Sequence, residues 1–599
     1  GSGKGTFTDE NGYYSLTLDD AEKNGKLSFS FVGYETQIVE IQNKTLINIS
    51  LKDAGTLNEV VIVGYGSQKR SDVTGSVAKF KNENLAELPV SRLDQALQGK
   101  MAGVQIQNTS GESGTDPKVV IRGVSSINAG SSPLVVVDGH PVPDGLAFVN
   151  MGDVESVEVL KDAASAAIYG SRGSSGVILI TTKTGKAEKP KYNLKVSNGF
   201  KEPYKLYSRM TSTEYLEFLY DEAAQRAKDP SIVTQAAPAT DVDKAAYAIE
   251  QVLRDGQTTD WQKELVRDAN VKNIQLSVAG GSKDLKYFFS AGYQDDQGMI
   301  FANEYKRYNI RSRLDAQLNK RMKLSVNIAP SFSQRQRSSE QLQDFLRFPS
   351  WLPVRHTEKT AEFVRGNPLY ADIKAGDYAQ PRHFNQRTYS GIMPDGTPWT
   401  NAILVDPFGS AQNSPRSVSE TRTLKGNDYR VQNAADLTIN LLPGLDFKTL
   451  ASAYVTYTTN QDFAKKNSNR AGDVSRGVYS NRFFLDLLNE NTLNFKKVIN
   501  KHTISLLAGF TAQKTNINSD QAIGLNFADD NISTLNTALT KDQVGTFNTK
   551  NQIGLLSYLG RVTYGYQNKY LFSANPNCRT SSYKSIINYL WYAKSLFGQ

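Results

Sequence analysis

Residues 273–294 read Asn273-Ile274-Gln275-Leu276-Ser277-Val278-Ala279-Gly280-Gly281-Ser282-Lys283-Asp284-Leu285-Lys286-Tyr287-Phe288-Phe289-Ser290-Ala291-Gly292-Tyr293-Gln294. Ile274, Leu276 and Val278 alternate with Asn273, Gln275 and Ser277. After a turn at Gly281–Asp284, Tyr287, Phe289, Ala291 and Tyr293 alternate with Lys286, Ser290, Gly292 and Gln294. A two-residue period is the signature of a strand with one apolar and one polar face. The pattern repeats in Tyr308, Ile310, Leu314, Ala316 and Leu318 against Asn309, Arg311, Arg313, Asp315 and Gln317. A tight turn at Asn319-Lys320 leads to Met322, Leu324, Val326 and Ile328 against Lys323, Ser325 and Asn327. One face is apolar and aromatic, and the other is polar enough to face water.

Further hairpins follow at 436–441 with 445–457 around Pro443-Gly444, at 491–495 with 503–510, and at 558–566 with 570–573. A β-sandwich also alternates, but its strands are usually shorter. Strands of ten or more residues with Tyr and Phe near their ends, and short turns alternating with long loops, are the pattern of an outer-membrane barrel. Such a barrel turns only alternate residues to lipid. The mean hydropathy of −0.45 and the lack of an apolar run of about 18 residues therefore exclude a transmembrane helix and nothing more. Two stretches interrupt the hairpins. Residues 210–268 contain helical-looking runs (Tyr215 to Leu219, Ala246 to Leu253), and residues 336–425 are long, polar and rich in Pro and Gly. In a barrel such loops would lie outside the cell, and loops of that length are functional or disordered.

Towards the N-terminus the character changes. Residues 1–53 read as a partial small β-sandwich with a turn at Asn11-Gly12. Residues 54–70 form a linker containing Glu59-Val60-Val61-Ile62-Val63 before Gly64-Tyr65-Gly66. This β-branched run fits a buried strand, which the pattern favours. It also fits a segment that adds itself to a partner's sheet edge. Residues 71–186 are mixed α/β. Leu93, Leu97 and Met101 share a helical face, and strands are expected at 104–107, 118–122, 134–138, 154–160 and 177–182. Residues 187–574 carry the hairpins, and in 575–599 the alternation is lost, as in a truncated or frame-shifted end.

Catalytic chemistry has no foothold. The chain of 599 residues has one cysteine, Cys578, so no internal disulfide or multi-cysteine metal centre is possible. His140, His356, His383 and His502 are too far apart in sequence for metal-ligand spacing. The segment Gly170-Ser171-Arg172-Gly173-Ser174-Ser175-Gly176 lacks the spacing and the lysine of a phosphate loop and reads as a tight turn. Asp295 and Asp296 are adjacent on a strand, point to opposite faces and cannot flank one bond. The net charge of +9, from 69 basic and 60 acidic residues, is dispersed and marks no nucleic-acid arm. No enzyme, metal site or cofactor is expected.

Several motifs, in order, resemble the SusC-like (SusC/RagA) family of TonB-dependent outer-membrane transporters of Bacteroidetes. They are Glu59 to Lys69, Asp72-Val73-Thr74-Gly75-Ser76-Val77, Leu97-Gln98-Gly99-Lys100-Met101-Ala102-Gly103-Val104, Ile121-Arg122-Gly123 and Pro133-Leu134-Val135-Val136-Val137-Asp138-Gly139. Asp153-Val154-Glu155-Ser156-Val157-Glu158-Val159-Leu160-Lys161-Asp162-Ala163, Ala166 to Gly173 and Gly176 to Thr182 follow. Thr259-Asp260-Trp261 and Leu276 to Gly281 extend the match. The N-terminal piece resembles a carboxypeptidase-regulatory-like sandwich.

The resemblance implies a mainly β chain: a transmembrane antiparallel barrel of the 22-stranded class, here truncated, around an N-terminal α/β plug. About eleven strand candidates follow residue 187, roughly half of that class. It also implies that Glu59, Val60, Val61, Ile62 and Val63 are the TonB box, against the buried-strand reading. The implied partners are TonB with its ExbB–ExbD energy system, a SusD-like surface lipoprotein, outer-membrane lipid and a substrate. The implied function is active import of glycan fragments across the Gram-negative outer membrane. Oligopeptide import is the alternative, and a surface-exposed adhesive or signalling β-protein is the reading from another class. Deleting Glu59–Val63 from the natural protein is expected to abolish uptake while leaving its outer-membrane abundance unchanged. Unchanged uptake in the deletion strain contradicts the TonB-box assignment.

Overall fold

The computed structural model describes residues 5–588 apart from 10–11, 20–24, 32–33, 35, 43, 52–59, 63–66, 70–76, 82–91, 108–110, 116, 125–130, 144, 147–148, 230–258, 385–387, 393–397, 404–412, 469–473, 568–569 and 575–576. The chain divides into two units, Gly1–Thr74 and Gly75–Gln599. In the first, Lys26–Phe29 pairs antiparallel with Gln37–Glu40, with Leu27 opposite Val39. Tyr14 sets its ring edge against Phe29 at 5.3 Å and donates to the Ile47 carbonyl at 2.8 Å. The expected turn is present: Gly12 takes φ 84°, and its N–H donates to the Asp9 carbonyl at 3.0 Å. A left-handed conformation of this kind favours glycine.

The second unit begins with a five-stranded sheet in the order Val77–Lys81, Val154–Leu160, Val177–Thr182, Leu134–Val137, His140–Val142. Val177–Thr182 runs parallel to Leu134–Val137, and the other pairs are antiparallel. The central strands read as apolar runs because both faces are covered, the usual state of a sheet with a parallel pair inside a domain. Val154, Val157, Val159, Leu160 and Val177 are wholly buried. The short helix Leu93–Leu97 packs Leu93 and Leu97 into the same core.

From Lys191 onward the described residues build one 12-stranded antiparallel sheet in which successive strands pair, except that Thr388–Ile392 and Pro398–Ile403 form a separate hairpin and Asn577–Asn588 pairs with Ala538–Tyr566. Strands lengthen from 11 residues at Lys191–Lys201 to 29 at Ala538–Tyr566. Tight turns, such as the one at Gly444 (φ 83°), alternate with long connections. One row crosses six strands in register: Tyr293, Tyr308, Phe332, Tyr429, Tyr457 and Phe483. Successive ring centroids from Tyr293 to Tyr457 lie 5.0, 6.1, 4.8 and 6.4 Å apart. These rings stand on the outer face, where Tyr308, Tyr429 and Tyr457 remain exposed. A ring ladder over an apolar band is how a sheet meets a lipid interface.

Two stretches carry structure that the alternation does not show. Asn577–Asn588, in the segment expected to leave the pattern, pairs with Ala538–Tyr566. The register set by Val562 opposite Ala574 carries through to Leu559 opposite Asn577. Backbone pairing needs no alternation of side chains. The connection 336–425, open to a disordered reading, holds its own core. Phe345, Phe348, Trp351, Leu352, Val364 and Phe384 close around Trp261 and Leu265 from the 210–268 connection. The helix Ser212–Lys228 starts at a reciprocal Thr211–Glu214 capping box. The expected helical run at 246–253 lies outside the described residues.

Candidate functional site

Of the five residues singled out in sequence, three lie in a described strand. Val60–Ile62 forms a short antiparallel pair with Ser67–Lys69, Val61 standing opposite Gln68. Glu59 and Val63 lie outside the described residues. The groups that come together lie instead at the seam between the five-stranded domain and the polar face of the wall.

The seam is organised by a two-residue turn. Leu134–Val137 and His140–Val142 are joined by Asp138 and Gly139, with Val137 paired to His140. Both turn residues take positive φ, 48° and 91°, the conformation that Asp-Gly favours in a hairpin. The turn aims two polar side chains at different strands of the wall. The Asp138 carboxylate accepts from Arg311 Nη2 at 2.7 Å, from the Thr182 hydroxyl at 2.5 Å and from the Thr182 N–H at 3.0 Å. Arg313 stands 3.8 Å away. Burial alone would raise the Asp138 pKa, but the two guanidiniums and the Thr182 and Arg311 hydrogen bonds outweigh it and hold the carboxyl below its usual range. His140, completely buried, shares a hydrogen bond with the Ser452 hydroxyl at 2.6 Å. Its Nε2 lies 3.3 Å from Asp486, which also accepts from Gln513 and Thr515.

A second anchor is the 3₁₀ turn Met151–Asp153, capped by the Asn150 side chain. Asp153 accepts from Ser290 at 2.6 Å and Gln275 at 3.1 Å, and Gln275 accepts from Asn150 at 2.7 Å. Burial pushes the Asp153 carboxyl up, against the Ser290 hydrogen bond and the Arg311 and Lys183 charges. Further contacts run from Arg172 to Gln513 at 2.8 Å and from Ser113 to Asp296 at 3.0 Å. Asp296 faces this seam while Asp295 accepts from the Tyr293 hydroxyl, so the two carboxylates do point apart. Nearly all of these contacts are hydrogen bonds between side chains. The neutral ones can be exchanged for water at small net cost, while the buried Asp138–Arg311 pair and the packing of Tyr454 and Phe484 on the plug core hold the domain more firmly.

Sequence spacing missed a second cluster. His356 and His383, 27 positions apart, meet with Nε2 and Nδ1 at 2.9 Å, and Thr360 sits on the other His356 nitrogen at 3.2 Å. Phe384 and Tyr370 flank the pair. Burial lowers the two pKa values to about 4 and about 3. Among the described residues no three His, Cys, Asp or Glu side chains gather as a metal would require. The same loop body explains Thr259-Asp260-Trp261. Trp261 donates to the Pro349 carbonyl and Thr259 to the Leu352 carbonyl, each at 2.8 Å. Asp260 caps the helix Trp261–Leu265. The triplet therefore clasps one long connection to the other.

Comparison with known proteins converges on this architecture. Residues 69–177 match the TonB-dependent Receptor Plug Domain, and residues 1–63 match the CarboxypepD_reg-like domain. TonB-dependent receptor P39 of Formosa agariphila is 31% identical over 96% of this chain and 50% of its own length. TonB-dependent receptor SusC of Bacteroides thetaiotaomicron is 29% identical over 96% of this chain and 53% of its own. The chain is a homologue of the SusC-like TonB-dependent receptors. It spans about half the length of the curated relatives it matches. The structure of the RagAB peptide transporter superposes with a TM-score of 0.65 at 23% identity, covering 85% of this chain and 56% of that one, a likeness of fold. Members of the family are outer-membrane β-barrels, and none of the described helices is long and apolar enough to cross a membrane. The relatives carry the names of receptors and transporters rather than of enzymes. In this SusC-like chain the five-stranded domain is the plug and the 12-stranded sheet is barrel wall.

Arg311→Ala leaves Asp138 buried without its main partner, which costs about 3–5 kcal/mol of plug docking. It should appear as a 10²–10³-fold or greater rise in amide exchange of Leu134–Val142, with Asp138→Asn added to Arg311→Ala recovering part of it. Unchanged exchange in the single variant contradicts the anchor. The histidine pair gives a pH test. Folded pKa values below the ordinary value mean that the unfolded loop binds protons more readily. Stability of the loop core is thus full above about pH 6.5 and falls as pH drops towards 4. At pH 5 the loss is of order 2–4 kcal/mol, so Leu342–Phe384 should exchange faster at pH 5 than at pH 7.5, after intrinsic correction, while the wall strands do not change.

Proposed function

We propose that this SusC-like chain provides the plug and part of the wall of an energised nutrient importer in the Gram-negative outer membrane. Glu59, Val60, Val61, Ile62 and Val63 serve as the TonB box. TonB, driven by ExbB–ExbD, adds a strand to this segment. Backbone pairing of that kind resists a pull collectively while asking little of sequence. The pull separates the plug from the wall along the polar seam. A SusD-like lipoprotein closes the extracellular side, where the two clasped connections would meet it.

The observation that carries this reading is the seam itself. Beside the apolar packing of Tyr454 and Phe484 on the plug core, the plug is held by Asp138–Arg311, His140–Ser452 and Asp153–Ser290, polar contacts that water can replace.

Glycan fragments are the proposed cargo. On the wall above the plug, Arg422 pairs with Asp462 at 2.7 Å and Arg430 with Asp428 at 3.2 Å, while Arg482 lies over the Phe484 ring. Thr456, Asn460 and Ser480 share that face by strand period with Gln432 and Ser452, which touch the plug. Hydroxyl and amide groups suit neutral polyols better than charged ligands. Oligopeptides remain the second reading because the RagAB structures are those of a peptide transporter. Labelled oligosaccharides and oligopeptides offered to cells expressing the natural protein separate the two. Oligosaccharide accumulation that disappears without TonB is expected. Peptide accumulation alone moves the assignment to the second reading, and uptake of either that persists without TonB contradicts energised import.

A further inference from the structure

The wall is not continuous beside the second anchor. Between Glu304–Gln317 and Met322–Arg337 the register runs from Asn309 opposite Ser331 to Ser312 opposite Ile328, but pairing lapses where Ile310 and Arg311 face Pro330 and Ala329. Proline has no N–H to give to a ladder and is confined to edges and bulges in ordinary sheets. Pro330 nonetheless sits inside a 16-residue strand paired on both sides.

Behind the lapse, between wall and plug, lies a cavity of about 30 Å³ bordered by Asn150, Asp153, Asn309, Arg311, Ala329 and Pro330. Two of its polar atoms have no hydrogen-bond partner in the protein: Nε of Arg311 and Nδ2 of Asn309. Both side chains are more than nine-tenths buried, with 5% and 8% of their surface exposed. Both are donors. The group across the cavity is the Asp153 carboxyl, whose bonds to Ser290 and Gln275 both fall on Oδ1. A cavity needs roughly 10–15 Å³ per water and two to four polar partners to be wet, while an apolar one stays dry. This one has room for two waters, and its lining holds the two unpartnered donors and the Asp153 carboxyl, with Ser331 and Gln432 beside them. An inorganic cation would face two donors, and an anion would face the carboxyl. Water alone can accept from Arg311 and Asn309 and donate to Asp153 at once.

We propose that this pocket is a two-water site, in which water accepts from Arg311 Nε and Asn309 Nδ2 and donates to Asp153 Oδ2. The wall strand that carries Arg311 is then joined to the plug twice by different means. Asp138 bonds its guanidinium directly, and Asp153 reaches it through water. Water at the second junction can be replaced from the lumen without loss of a protein contact, so this arc of the seam is wet before any pull is applied. The claim concerns the resting protein and is independent of cargo or TonB.

A crystal structure of the natural protein at about 2 Å or better tests it, together with Ala329→Leu. Two water peaks within hydrogen-bond distance of Arg311 Nε, Asn309 Nδ2 and Asp153 are expected. In Ala329→Leu the leucine should occupy the pocket and both peaks should vanish, while the Asp138–Arg311 contact stays. An empty pocket, or density that refines as an ion, overturns the proposal. So does a wild-type pocket closed by direct contact of Asp153 with Arg311. Should Ala329→Leu fail to fold, the wild-type density decides alone.

Discussion

The buried contact between Asp138 and Arg311 sets the terms for the rest of the molecule. A sheet that turns its apolar face to lipid offers a mainly polar face inward, lined with arginines, aspartates and amides around a few apolar side chains such as Tyr454 and Phe484. Left against an apolar filling, these groups would be orphaned at a cost of several kcal/mol for each charge. The plug resolves this by placing its own polar side chains on a rigid apolar core. Val154, Val157 and Val159 fix the central strands, and the Asp138-Gly139 turn projects from the end of a neighbouring strand. The wall therefore determines what kind of plug can occupy it. The result is a domain that is firmly folded within and reversibly attached without.

That division fits a transporter better than a structural pore. Apolar packing inside the plug resists deformation, and the seam adds polar contacts that solvent can substitute. The outer connections follow a different rule. Trp261 and its neighbours build a small apolar core between the two longest connections, so these parts move together or not at all.

Much of this was legible in the sequence, for physical reasons that differ by element. The wall strands could be read because a two-residue period sustained over ten or more residues fits little besides a strand with two unlike faces. Asp138-Gly139 could be read because two successive positive φ angles demand such a dipeptide. The apolar runs at 154–160 and 177–182 marked the plug strands. What stayed hidden were pairings between distant residues: Asp138 with Arg311 across 173 positions and His140 with Ser452 across 312. Arg311 alternates like any lumen-facing residue, and no local signal marks its partner. His356 and His383 were discounted on spacing because a loop core brings them together only after folding. The pairing of 577–588 was not visible because alternation reports side chains while strand pairing belongs to the backbone.

The central claim is that the plug must part from the wall for transport. Asp153 and Ser290 carry short side chains that touch at 2.6 Å, and the chain's one native cysteine, Cys578, pairs in the strand next to Leu559 and Tyr558. The decisive measurement is uptake by the Asp153→Cys/Ser290→Cys variant before and after reduction. The account predicts no uptake while the disulfide holds the plug to the wall and recovery when it is reduced. Full uptake by the oxidised, cross-linked protein would contradict it.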